Sequence, residues 1–439
     1  MHSYRKIFAR AWPIMIANSV VPLLGIADTA VIGRTGSVQD LGAIALGALV
    51  FSFVYWTFGF LRMGTTGFVA QASGAGKQLE VRVSVGRALL MALLLGAGLV
   101  ILQLPVAWIA FSILDGSAEV ETIARQYVLI RIWGAPAALT SFAISGALIG
   151  LGRSRTLLAL QIFTNGLNIA LDVLFAGVYG WGTQGIAAGT LIAEWSAAVV
   201  GGYLLLRLLR AQQDDSGPFM PWRLLRNAAE LLRTLRVHAD IMIRTLLMLI
   251  AFGWFTQQGA RMGEATLAAN HVLLQFIFFS AFFLDGYAFA TESLVGAAIG
   301  ARDRCAFDEV VRRSSVLAGI TGLLLGLGWW LFGESAIEFM THLPAVQNAA
   351  IAVLPCAALY VAVSAAAFQL DGIFIGATRT REMRNASLYS FIGFIAIGLP
   401  LVSAAQNQGL WVAFIAYVVL RAITLWAVYP RLRSEIAAR

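Results

Sequence analysis

The sequence predicts an all-α integral membrane protein with twelve transmembrane helices in two six-helix bundles, on three observations. Of its 439 residues, 59% are hydrophobic and only 12% charged, with a mean hydropathy of +0.79, a balance too apolar for a water-soluble domain. Apolar runs long enough to cross a bilayer recur along the whole chain. The two halves also repeat one another in a fixed register.

The expected spans are 12–33, 43–72, 84–114, 123–150, 156–179, 185–209, 237–260, 266–299, 314–333, 347–377, 385–405 and 409–430. The first reads WPIMIANSVVPLLGIADTAVIG and is interrupted by a single carboxylate, Asp28. A charge at that depth is costly enough that the acid is expected to face a protein interior or a water-filled cavity. Pro13, Pro22 and Gly25 give the same helix places to bend. The second span carries Arg62 within GFLRMGTTG, which needs an acid or carbonyl partner or must snorkel. In the fifth span Asn165, Asn168 and Asp172 fall at i, i+3 and i+7, one helical face. The sixth carries Thr190 with Glu194 one turn further on.

Between halves, residues 211–232 hold Asp214, Asp215, Gly217, two prolines and two arginines, Arg223 and Arg226, a linker composition. The expected division is therefore an N-terminal lobe 1–210, a cytoplasmic linker 211–232 and a C-terminal lobe 233–439. In the eighth span Asp285 and Glu292 lie seven apart on one face, beside an aromatic stripe from Phe276 to Phe283 that suits a substrate chamber or lipid equally. Asp371 stands near the inner end of the tenth span, where it and Glu292 are expected to act as gate or packing residues.

Charge sets the orientation. With the N-terminus inside, 24 Lys and Arg residues fall on the inner side, three in outer loops, and four (Arg62, Arg131, Arg244, Arg421) within spans. That asymmetry places both termini in the cytoplasm. It also accounts for the net charge of +8 without a nucleic-acid partner. Two cysteines and four scattered histidines offer no disulfide framework or metal spacing. The full-length first span argues against a cleaved signal peptide.

With Gly372 laid over Gly146, GIFIGATRTR (372–381) matches GALIGLGRSR (146–155). The same register lays Leu267, Phe279, Thr291 and Ala301 over Leu41, Phe53, Thr65 and Ala75. Each half has an even number of spans, so both sit the same way up, as a parallel repeat with a central cavity expected between them. The repeat fails at one place that matters, because Asp28 corresponds to Trp254.

Depth gathers the first half's polar groups. Asp28 and Asp172 each lie 16 residues beyond the inner start of their spans, about 24 Å up, and Thr190 is close to the same level. Asp28, Asn168, Asp172 and Thr190 thus form an expected layer, with Glu194 below. Two neighbouring carboxylates cannot both ionise cheaply, so one should hold a proton or share a cation.

Together, IADTAVIGRTGS, FGFLRMGTTGFVAQASG, NIALD and LDGIFIGATRTR resemble the DinF-like branch of the MATE family, the multidrug and toxic compound extrusion transporters, across essentially the whole chain. The resemblance implies a V-shaped pair of bundles, alternating access, and export of amphipathic, often cationic compounds in exchange for H⁺ or Na⁺. It ties Asp28 to proton coupling and to bending of the first helix, with Asn168, Asp172 and Thr190 as polar partners. The carboxylate that the Na⁺-linked branch carries in its seventh span has no counterpart here beyond Asp240.

The expected function is proton-driven export of amphipathic or cationic compounds across a bacterial inner membrane by a monomer in contact with membrane lipids. No cofactor is expected. Na⁺ at the same site is the alternative ion, and a flippase for lipids or lipid-linked precursors is the alternative function. A membrane enzyme is disfavoured, because no nucleophile with its base and no paired histidines occur within the spans.

Overall fold

The computed structural model describes residues 3–113, 117–213 and 218–438. Residues 214–217 of the linker and Arg439 lie outside this set, as does the side chain of Pro22. Among the described residues the chain is helical, with no strand: α1 (Tyr4–Thr35), α2 (Val38–Thr57), α3 (Phe60–Gly74), α4 (Gln78–Ile101), α5 (Gln103–Ile113), α6 (Ala118–Arg131), α7 (Ala135–Gly150) and α8 (Ser154–Asp172) come first. There follow α9 (Gly182–Arg210), the short α10 (Trp222–Leu225), α11 (Ala228–Arg261), α12 (Glu264–Gly300), α13 (Arg304–Met340), α14 (Pro344–Gly376) and α15 (Thr380–Ala438).

Ten helical stretches among the described residues are long and apolar enough to cross a membrane. Nine correspond one to one with the second to tenth expected spans, and α1 covers the first. The tenth, Thr380–Ile436, is 57 residues long and takes in the last two expected spans. At 1.5 Å per residue it is far longer than one crossing needs. Its helical path fails at Ala405 (φ −131°) and Gln406 (φ +49°). There Asn407 and Asn270 exchange two amide hydrogen bonds at 2.8 and 3.0 Å, while the Trp411 indole donates to Asn270 Oδ1 at 2.9 Å.

Three spans expected to be unbroken are interrupted. The second is broken at Phe58–Gly59, between α2 and α3. The third stops at Leu102, where Pro105 cannot donate to the carbonyl four residues back. The fourth passes through a 3₁₀ turn, Ile132–Gly134, just before Pro136. Helix starts carry their own signals: Ser37 and Asp40 form a reciprocal capping box, Ser117 accepts from Val120 N, and Asp303 accepts from Ala306 N.

The chain divides into two compact units, Ile16–Thr234 in one and Met1–Met15 with Leu235–Arg439 in the other. α1 therefore contributes to both, and the division falls just after Pro13. Its first turns pack within the second unit, where Ala11 and Met15 join Tyr287, Ala290 and Ala318, and Gly286 leaves room for Met15. Helix α1 is continuous through Pro13, Pro22 and Gly25.

Each unit is built on the same helix contacts, in the register of the sequence repeat. In the first, a side chain at Gly146 would strike the Arg62 carbonyl oxygen, and one at Gly150 would lie 2.9 Å from that of Thr66. In the second, Gly372 and Gly376 stand in the same relation to the carbonyls of Ala288 and Glu292, each 2.5 Å from the missing Cβ. Small residues spaced by four let the helix backbones close together where the bilayer supplies no hydrophobic drive. Helix ends repeat as well: left-handed Gly76 (φ +69°) and Gly152 (φ +68°) recur as Arg302 (φ +56°) and Thr378 (φ +53°). The cores differ in character. The first holds mainly aliphatic residues around Phe51, Phe111 and Tyr127, whereas Phe255, Phe394, Trp411, Phe414 and Tyr417 dominate the second. The aromatic stripe of α12 is split between core and surface: Phe276 is buried and stacks on Trp329 at 4.0 Å, while Phe279 is 47% exposed.

Candidate functional site

Helices α1, α8 and α9 bring together the four polar residues of the expected layer. Asp28, Asn168, Asp172 and Thr190 are all buried. The Asp28 and Asp172 carboxyls face one another within hydrogen-bonding reach. Asn168 Nδ2 donates to Thr190 Oγ1 at 3.2 Å and to Asp172 Oδ1 at 3.5 Å. Spacing explains the meeting on α8, since residues four apart stack on one face. On α9 the enabling residue is Gly189: a Cβ there would lie 2.5 Å from Asp172 Oδ1. Immediately after Asp172 the helix widens into a π-helical turn, Val173–Val178, closed by Tyr179 N donating to Leu174 O at 2.9 Å.

Three acceptor oxygens in this layer, Asp28 Oδ1, Asp172 Oδ2 and Asn168 Oδ1, are buried with no donor among the described residues. Buried acceptors left unmatched are expensive. Between two facing carboxylates, a proton or a cation meets that need.

Glu194 lies one turn along α9 from Thr190, and the Arg131 beside it also acts electrostatically on Asp28 and Asp172. Glu194 pairs with Arg131 at 3.7 Å, and its carboxylate rests on Gly134, where any side chain would collide with it. Arg131 Nη1 also donates to the Tyr127 hydroxyl at 3.1 Å, and its guanidinium lies 4.5 Å from the Phe51 ring centroid. Arg131 was visible as an in-span cation; the in-span acid needed to balance it was the signal for this pair.

In the second unit the four equivalent positions of the repeat are Trp254, Phe394, Gly398 and Ala416. Here Trp254 occupies the space beside Gly398, 2.7 Å from where a Cβ would sit, and meets Phe394 edge to face at 4.9 Å. The pairing of positions survives in the repeat while the acids are replaced by an indole and a glycine, and the amide by a phenyl ring.

Among the described residues, the other expected site residues have surroundings of their own. Asp285 is half-buried and Glu292 fully buried on α12, with Gln369 Nε2 donating nearby to Thr291 Oγ1 at 3.0 Å. Arg62 is half-buried, and its carbonyl accepts from Thr66 Oγ1 at 2.9 Å. Asp371 is clamped between two arginines of other helices: its Oδ2 accepts from Arg244 Nη2 and from Arg421 Nη2, the latter at 2.6 Å. On α11, Asp240 pairs instead with Arg384 at 2.7 Å and accepts from Thr380.

The family model MatE matches the chain twice, at residues 13–174 and 241–402. DNA damage-inducible protein F of Escherichia coli is 36% identical over 431 residues, 98% of this chain and 92% of the relative. A probable multidrug resistance protein NorM of Rhizobium meliloti is 29% identical over 98% of this chain and 96% of its own. Among solved structures, one described as the outward-facing conformation of a multidrug resistance MATE family transporter superposes with a TM-score of 0.87 at 22% identity, over 99% of this chain and 96% of that one.

Proposed function

Because the chain belongs to the MatE family of transporters, in its DinF-like branch, we propose that it is a secondary active antiporter exporting amphipathic or cationic compounds, drug-like molecules among them, in exchange for protons. The observation that carries this reading is the buried Asp28–Asp172 pair, in a layer with three unmatched acceptor oxygens. On the side of lower pH the pair takes up a proton, which removes the charge conflict between two facing carboxylates. On the other side it gives the proton back and presents an anionic layer to a cationic substrate. Asn168 and Thr190 hold Asp172 in place through both steps. A ligand shifts such an equilibrium only by its difference in affinity for the two states, and that difference resides in this pair. Pro13, Pro22 and Gly25 are the positions where α1 yields, and the division between Met15 and Ile16 supports a first helix whose two ends move with different partners.

The same oxygens favour a second ion. Carboxylate, amide and hydroxyl oxygens in one layer suit a hard cation, so Na⁺ exchange through Asp28, Asn168, Asp172 and Thr190 is the alternative. Both termini are cytoplasmic in this reading, the membrane is the bacterial inner membrane, and the transporter works as a monomer.

Ethidium efflux from everted vesicles tests the proposal, with an imposed pH gradient in one set and an imposed Na⁺ gradient in another. Wild-type efflux should follow the pH gradient, and Asp28→Asn should abolish it while reaching the membrane at normal levels. Full export by that variant removes the mechanism, and dependence on Na⁺ alone reassigns the layer to sodium. Absence of efflux under both gradients would favour the alternative of a lipid or lipid-linked precursor flippase.

A further inference from the structure

The first unit sets a fixed cation against its acidic layer. Arg131, at the end of α6, keeps only 15% of its side-chain surface open and acts electrostatically on both Asp28 of α1 and Asp172 of α8. The other titratable groups acting on it are Glu194 of α9, Tyr127 one turn earlier on α6, and Tyr55 of α2.

None of these neighbours quenches the charge. The contact with Glu194 is 3.7 Å long, beyond a hydrogen bond, and Arg131 Nε and Glu194 Oε2 are both buried with no partner among the described residues. A pair built only to fasten α6 to α9 would be shorter and bidentate. The Tyr127 hydroxyl, which accepts from Nη1, and the Phe51 ring under the guanidinium attract a cation without carrying a formal charge. Nor does the scaffold need the pair. In the second copy of the repeat Arg131 and Glu194 correspond to Ala357 and Leu420, just as Asp28 and Asp172 correspond to Trp254 and Gly398. The guanidinium is present in the copy that has the acids and missing from the copy that lacks them.

A fixed positive charge beside two acids changes which ion they accept. Any cation entering the layer is repelled by Arg131, and the repulsion is the same for H⁺ as for Na⁺. A proton shared by facing carboxyls starts from much tighter binding, because it forms a covalent O–H bond and relieves their mutual repulsion. Na⁺ must give up hydration water for a few protein oxygens, so an equal penalty removes it first. We propose that Arg131 sets the coupling ion: its charge excludes Na⁺ from Asp28, Asn168, Asp172 and Thr190 and leaves the layer to protons, while Glu194 keeps the guanidinium in place without neutralising it. The inference deepens the proton-exchange reading and rests on it for its physiological sense, but Na⁺ binding at equilibrium tests it without any transport.

The probe is radiolabelled Na⁺, its binding measured by scintillation proximity on the full chain in phosphatidylcholine nanodiscs at one fixed, mildly alkaline pH. Wild type should show no saturable binding at physiological Na⁺. Arg131→Gln/Glu194→Gln, which removes a cation and an anion together and keeps the net charge, should bind Na⁺ at least about tenfold above the wild-type limit. Adding Asp28→Asn to it should abolish the gain. Arg131→Lys keeps the charge and loses the planar fork, and should refuse Na⁺ as wild type does. Arg131→Met/Glu194→Leu repeats the test with apolar side chains if the glutamine pair does not fold. Saturable Na⁺ binding by wild type that Asp28→Asn removes overturns the proposal, as does no gain in either double variant. A gain confined to the single variant Arg131→Gln overturns it too, since it would trace to the uncovered Glu194 carboxylate. Wild-type Na⁺ binding alongside pH-driven ethidium efflux would remove this inference and leave the export reading intact; the expected Na⁺ results without efflux under any gradient would do the reverse.

Discussion

Replacing Gly189 with alanine should uncouple transport without unfolding the protein. The new Cβ would stand 2.5 Å from Asp172 Oδ1, 3.2 Å from Leu171 Cβ and 3.3 Å from the Asp172 backbone nitrogen, where ordinary contact begins at 3.4 Å. The carboxylate must therefore withdraw by about 0.9 Å, the difference between those distances. Asn168 Nδ2 already reaches Asp172 Oδ1 only at 3.5 Å, so that bond is lost, and the carboxyl turns away from its partner on α1. A misplacement near 1 Å at a reacting group costs on the order of 10²-fold in rate. Folding suffers less, because the group that yields is a side-chain end rather than backbone; an overpacked methyl costs about 1–3 kcal/mol. The assay is the initial rate of pH-driven ethidium efflux in proteoliposomes, with the thermal midpoint measured on the same preparation. Gly202→Ala is the control, since Gly202 lies on the same helix with nothing within 4 Å of its missing Cβ. A ten- to hundredfold loss in Gly189→Ala is expected beside a normal Gly202→Ala. Wild-type efflux from Gly189→Ala would refute the claim that the position of Asp172 governs coupling.

Two further outcomes follow from packing. Gly146→Val and Gly372→Val press a side chain against the carbonyl oxygens of Arg62 and Ala288, which cannot swing aside, so each should cost about 1–3 kcal/mol or more and lower the thermal midpoint by similar amounts in the two repeats. Arg82 is fully buried and donates through Nε to the Phe219 carbonyl at 2.8 Å, and Arg87 Nη2 donates to that of Leu224 at 2.6 Å; the double variant Arg82→Ala/Arg87→Ala should release the connector, read as faster tryptic cleavage at Arg223 and Arg226.

The first-half layer was legible in the sequence because it depends on regularities of helices. Asn168 and Asp172 share a face by spacing, and equal depth ties them to Asp28 and Thr190 with no knowledge of packing. Likewise the internal repeat exposed the glycine pairs that let helix backbones close together in both units. Less accessible was whatever depends on which helix neighbours which. Arg131 pairs with Glu194, and Arg244 and Arg421 with Asp371, across separations that no helical period relates. Gly189 escaped for a similar reason, since its role is the absence of a side chain opposite an acid on another helix. The interruptions at Gly59, Leu102 and Ile132–Gly134 fell inside runs whose hydropathy never drops, so an apolar window read straight through them.

The cluster of Trp254, Phe394 and Gly398 gives the molecule a blank copy of the polar layer around Asp28 and Asp172. One scaffold is present twice, wired for charge in the first copy and sealed with rings in the second. An architect of such proteins would therefore look to the sealed copy for the minimum that holds the helices together, and to the difference between the copies for the parts that respond to an ion. By that comparison the helices at this level pack with rings and a glycine where the other copy carries two acids and an amide.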